Sequence, residues 1–140
     1  MSQGQSSTTT SIGLLVLRLA AGGMLLYGHG WAKLAHYSER AAHFPDPLHI
    51  GSPRSLMLSI FAEAICSTLV MLGFATRFAA IPLIINMSVA EFIANHGAAF
   101  HDHELGYFYL ASFIALLFTG PGAFSLDARF GPSVSFKGGK

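Results

Sequence analysis

Four long apolar stretches, separated by polar or proline-bearing connectors, organise the chain; they run over about 12–34, 56–75, 78–94 and 105–124. Each is near the roughly 20 residues that a helix rising ~1.5 Å per residue needs to cross a ~30 Å hydrocarbon layer. The run LGYFYLASFIALLF, 105–118, has no charge on any helical face, and Glu63 is the one charge in 56–75. A water-soluble bundle would show a polar stripe at helical spacing. The pattern therefore predicts an all-α integral membrane protein, a four-helix bundle running up-down-up-down as one domain over 12–127. Polar, disordered tails are expected at 1–11 and 128–140.

The connectors are unequal. Thr76 and Arg77 are read as a tight turn between spans two and three, and the segment 95–104 (NHGAAFHDHE) as a short polar loop. The loop from 35 to 55 is longer and holds Pro45, Pro47 and Pro53, which interrupt helices. Pro82 is read as a proline of the first helical turn. Gly22 and Gly23, beside Ala20 and Ala21, make a patch where two helix backbones can approach. With four spans both termini share one face, and Arg77, Arg129, Lys137 and Lys140 oppose Lys33, Arg40 and Arg54. Positive-inside counting then places both termini in the cytoplasm.

Composition agrees with lipid as solvent: 52% of residues are hydrophobic, 11% are charged and the mean hydropathy is +0.52. A net charge of +1 with no basic cluster speaks against a nucleic-acid partner. Cys66 is the single cysteine, so a redox role would depend on a bound cofactor, substrate or partner rather than on an internal disulfide. The first eleven residues lack the basic stretch of a secretory leader.

Chemistry is sought where ionisable groups fall inside the spans, each costing at least about 2.5 kcal/mol on insertion scales. Arg18, Glu63 and Glu91 are those groups. Helical rise puts Arg18 and Glu63 within reach of each other, either as a pair that fixes helix register or as a site for an anion or quinone head. His29 and Lys33, one turn apart, share a level with Glu91 and His96, and His29 beside Glu91 would form a proton-exchanging pair. All seven histidines (29, 36, 43, 49, 96, 101 and 103) map to one end of the expected bundle. His101 and His103, with acidic neighbours, are the candidate ligands for a transition metal if the loop is extended. Trp31, Tyr37, Tyr107 and Tyr109 suit an interfacial aromatic belt.

The run LLVLRLAAGGMLLYGHGWAKL, the Ala62-Glu63 pair, the Gly73-Phe74-Ala75-Thr76-Arg77 turn and the closing GPGAFSLD at 120–127 resemble, in this order, the DoxX family of small bacterial membrane proteins. The likeness spans about 12–127. It implies a four-helix protein of the bacterial inner membrane, with Arg18, His29, Lys33, Glu63 and Arg77 as the family-like polar positions. It also implies redox chemistry, since relatives include a membrane subunit of thiosulfate:quinone oxidoreductase. The expectation is a membrane subunit that binds a quinone or another small hydrophobic redox partner between helices. His29 and Glu91 would be catalytic, and Arg18, Lys33, Glu63, Arg77 and His96 would line the substrate, with a redox partner protein or a second copy alongside. The competing expectation is a non-catalytic scaffold or small-solute carrier whose inner charges hold the bundle together.

Overall fold

The computed structural model describes residues 7–130; of the tails expected at 1–11 and 128–140, the parts 1–6 and 131–140 lie outside them, and 128–130 are helical rather than part of a tail. The regular elements among the described residues are all helices, with no strand. Helix α1 runs Thr8–Ala35, α3 Ser52–Leu72 and α4 Thr76–Ala94. Between them lies the short α2, Tyr37–Arg40. Helix α5 is Phe100–Thr119, and α6 is Leu126–Phe130.

Helix α1 starts before the expected boundary. Ser7 caps it, its hydroxyl accepting from the Thr10 amide at 3.2 Å, so Thr8–Ser11 are helical rather than part of a tail. Ser11 is fully buried, and its hydroxyl accepts from the Ala123 amide at 3.1 Å.

The turn between α3 and α4 is Gly73–Ala75, and Thr76 and Arg77 open the next helix. Gly73 and Ala75 both adopt left-handed backbone, with φ of 70° and 48°. A side chain at Gly73 would strike the Arg18 guanidinium, which explains the glycine. Pro82 lies within α4 rather than in its first turn, and it withholds one amide from the ladder there. The segment 101–104, expected as a loop, forms the opening turn of α5, where Asp102 and Glu104 complement the helix dipole.

Three helices, α1, α3 and α4, are long and apolar enough to cross a membrane. Helix α5 has the length but begins Phe-His-Asp-His-Glu, which lowers its apolar content. Helix α1 packs on α3, α3 on α4, α4 on α5 and α5 back on α1. The enclosed core includes Leu25, Val70, Leu83, Phe113 and Leu116, all almost inaccessible. Where α1 crosses α3, a Cβ on Gly22 would lie 2.8 Å from Met71 Cγ and 3.0 Å from the Ser67 carbonyl, so the small residue is what permits this contact. The outer surface is also apolar: Val16, Phe78, Phe108 and Phe118 all stand exposed. Apolar residues on both sides of a helix are the mark of lipid contact.

Each of the three membrane-capable helices contains one wide π-helical turn: Leu26–Gly30 in α1, Phe61–Cys66 in α3 and Ala90–Ala94 in α4. Such turns are rare and concentrate at functional sites. They carry His29, Glu63 and Glu91, the polar residues that stood out in the sequence.

Candidate functional site, a polar-ended cavity between helices

Glu63 is 3% exposed, and its carboxylate is the hub of a cluster drawn from three helices. Lys33, near the end of α1, places Nζ 2.6 Å from Oε2. Ser59, one turn before Glu63 on α3, accepts from Lys33 at 2.9 Å and donates to Glu63 Oε1 at 3.3 Å. Asn86 on α4 donates to the same Oε1 at 2.9 Å. The spacing of four residues puts Ser59 and Glu63 on one helical face. Gly30 lets α1 approach, because any Cβ there would collide with the Glu63 carbonyl.

This cluster floors a half-enclosed cavity of about 310 Å³. Its walls are apolar, including Leu58 from α3 and Pro82, Ile85 and Val89 from α4. Its roof is the proline-bearing loop, through Phe44, Pro45, Pro47, Leu48 and Ile50. Lys33 Nζ lies 5.4 Å from the centre of the Phe44 ring, a cation–π contact that ties roof to floor. The loop is pinned by Asp46, whose carboxylate accepts from the Ile50 amide (3.0 Å), the Gly51 amide (2.8 Å) and the Ser55 hydroxyl (2.8 Å). The Ser55 hydrogen bond, reinforced by the two amides, holds the Asp46 carboxyl below its ordinary value.

Arg18 and Glu63 keep separate partners. Arg18, wholly buried, donates to the carbonyls of Val70 (3.4 Å), Met71 (3.1 Å) and Phe124 (2.5 Å). Val70 and Met71 lie seven and eight residues beyond Glu63, about 11 Å further along α3. Their carbonyls belong to the last turn of α3, where the regular i+4 amides run out and Val70 keeps only the capping Gly73 amide at 3.1 Å. Arg77 does the same for α5, donating to the Phe118 carbonyl at 3.3 Å. Asp127 caps α4 from the other side, accepting from the Ala75 and Thr76 amides at 2.7 and 2.9 Å. The motif at 73–77 and the one at 120–127 thus meet around Arg18 and satisfy helix ends.

His29 and Glu91 do not meet. His29 is exposed, with its ring edge-on to Tyr109 at 6.2 Å. Glu91 is buried and pairs with His103 Nδ1 of α5 at 2.5 Å. A side chain on Gly106 would occupy the space of the Glu91 carboxylate. Tyr107 stacks on the His103 ring at 5.3 Å. His96 is exposed. His101 points outwards to Glu104 at 3.4 Å while His103 points in, as two positions apart on a helix require, so the expected metal pair is not brought together. No group of three His, Cys, Asp or Glu side chains gathers among the described residues. Tyr109, assigned by its sequence position to an interfacial belt, is instead 3% exposed in the core.

Sequence reasoning missed Ser59, Asn86 and the loop roof. Ser59 carried a signal in its four-residue spacing from Glu63, and Asn86 in being an amide within an apolar span. The roof carried none, because it depends on how the loop folds back.

These features define an all-helical membrane protein with a polar cluster buried between its helices. A family model for DoxX matches residues 13–96, and the chain belongs to the DoxX family. It is similar to the uncharacterised membrane protein Rv3486 of Mycobacterium tuberculosis, with 34% identity over 109 residues, 61% of this chain and 67% of that protein. No solved structure matches the chain.

Proposed function

We propose that this protein is a four-span subunit of the bacterial inner membrane that holds a small hydrophobic redox molecule, a quinone by class, between its helices, in association with a redox partner protein. The observation that carries this reading is the apolar cavity ending on Lys33, Glu63 and Asn86. Binding cavities commonly join apolar walls to a few convergent polar groups. Lys33 spends two donors on Glu63 and Ser59, and its third is left for a carbonyl oxygen. Glu63, 2.6 Å away, holds the Lys33 side chain in place. His29, exposed and away from the cavity lining, is a less suitable proton carrier than this cluster.

The fourth span is α5, whose outer face carries the exposed Phe108, Ile114 and Phe118. With four spans, both termini lie in the cytoplasm and the seven histidines gather at the opposite face. The scaffold reading is favoured for one half of the molecule, where Arg18, Arg77 and Asp127 bond the ends of helices.

Thermal unfolding of detergent-purified protein against rising decylubiquinone tests the reading. The midpoint should climb with ligand concentration, as mass action requires. Asn86→Leu should need about tenfold more quinone, about 1.4 kcal/mol of binding. A Lys33→Met, Glu63→Leu double variant should show no ligand-dependent rise. An equal rise in that double variant would contradict the proposal.

A further inference from the structure

The cavity has a side as well as a roof. Leu58 and Ile85 both line it, yet they are 57% and 58% exposed on the outer surface of α3 and α4. Leu58 lies six residues into α3, about 9 Å from its start, and Ile85 nine residues before the end of α4, about 14 Å from it. Those depths fall within an apolar helical surface, where exposure means exposure to lipid. The water-side approach is instead covered by the loop, packed as Phe44, Pro45, Pro47, Leu48 and Ile50 and pinned through Asp46.

The floor adds a second constraint. Both Glu63 oxygens are engaged, one by Lys33 and one by Ser59 and Asn86, so the cluster holds one positive and one negative charge. An anionic head drawn to Lys33 would leave the buried Glu63 carboxylate in competition for the same cation, in surroundings where an unpaired charge is costly. A neutral head with a hydrogen-bond acceptor meets the remaining Lys33 donor and the Asn86 amide without that cost.

We infer that the cavity is loaded sideways from the bilayer, between α3 and α4, by an uncharged amphiphile whose acceptor-bearing head reaches Lys33 and Asn86 while its chain passes Leu58 and Ile85 into the lipid. This rests on the ligand-binding reading above and specifies the ligand class and its route. The route accounts together for the exposure of Leu58 and Ile85 beside the cavity and for the loop packed over its other side. Pro82, inside α4, lines the same cavity.

The experiment uses the full chain in lipid nanodiscs with tritiated decylubiquinone. Its chainless head, 2,3-dimethoxy-5-methyl-1,4-benzoquinone, and decanoate serve as competitors. Decylubiquinone should be retained, the chainless quinone should compete at least tenfold more weakly, and decanoate should not compete at pH 8. Ile85→Trp and, separately, Leu58→Trp, both at lipid-facing positions, should slow loading at least tenfold, whereas Val16→Trp, equally exposed on α1 but outside the cavity lining, should leave it unchanged. Full loading of both mouth variants, or equal competition by the chainless quinone, overturns the lateral route and leaves the cavity reading standing. Competition by decanoate equal to that of unlabelled decylubiquinone overturns the neutral head. Retention of no quinone by wild-type protein overturns this inference and the proposed function together.

Discussion

At the scale of single residues, a buried charge is defined by its nearest partner. Lys33 is 15% and Glu63 4% exposed at the side chain, so removing either leaves the other without its counter-charge in a medium that solvates it poorly. Lys33→Met should cost about 3–5 kcal/mol, while the Lys33→Met, Glu63→Leu double variant should recover most of that loss. Denaturant unfolding of the four members of this cycle measures the coupling. Near-additive losses would show that the two side chains do not interact. Gly106 offers a second case, since a methyl group there would displace the Glu91 carboxylate from His103. Gly106→Ala should destabilise by about 1–3 kcal/mol, and by much less in a Glu91→Ala background. That Arg18, Glu63 and Glu91 would need partners inside the bundle was legible in the sequence, because each is an ionisable group in an apolar run. Their pairing was not. Depth along a helix says which groups share a level, but side-chain reach and helix rotation choose among them. So Arg18 went to the carbonyls of α3 and Phe124, Lys33 to Glu63, and His103 to Glu91.

At the scale of helices and loops, hydropathy located the long elements, and local capping set where they begin and end. Ser7 extends α1 upstream, and Asp127 fixes the start of α4 at a point where no apolar residue marks it. Asp127→Ala should cost about 0.5–2 kcal/mol through the lost cap. Faster amide exchange confined to the first turn of α4 would show the cause, and unchanged exchange there would contradict it. The roof loop gives a pH-dependent case. Asp46 is held below its ordinary carboxyl value chiefly by the Ser55 hydroxyl, helped by the Gly51 and Ile50 amides. Its contribution is therefore complete above the unfolded value of about 3.9 and is lost as pH falls through the lower folded value. Limited proteolysis of the 41–51 loop should accelerate in acid for wild-type protein. Asp46→Ala should be cut faster at neutral pH and should show no such acid step. Neither the pin nor the roof was legible in the sequence, where three prolines and an aspartate spelled only a break between helices.

At the scale of the whole molecule, the two polar assemblies divide the labour. The one around Arg18, Arg77 and Asp127 closes helix ends, and the one around Glu63 opens onto a cavity. Four spans follow if α5 crosses the bilayer with its apolar outer face to lipid. Reporter fusions after Lys140 should then be active in the cytoplasm, and fusions within 41–51 in the periplasm. A periplasmic signal from the Lys140 fusion would reverse the orientation. The location of the binding site bears most directly on the central claim, that the polar-ended cavity takes a hydrophobic redox molecule. A photoreactive azidoquinone, irradiated with the protein in lipid and followed by peptide mapping, reads that location. Labels should fall on the 44–50 loop and on 82–94 of α4, and should vanish when unlabelled decylubiquinone is added. Labels that instead centre on His29 or on His101, or that persist under competition, would contradict the account.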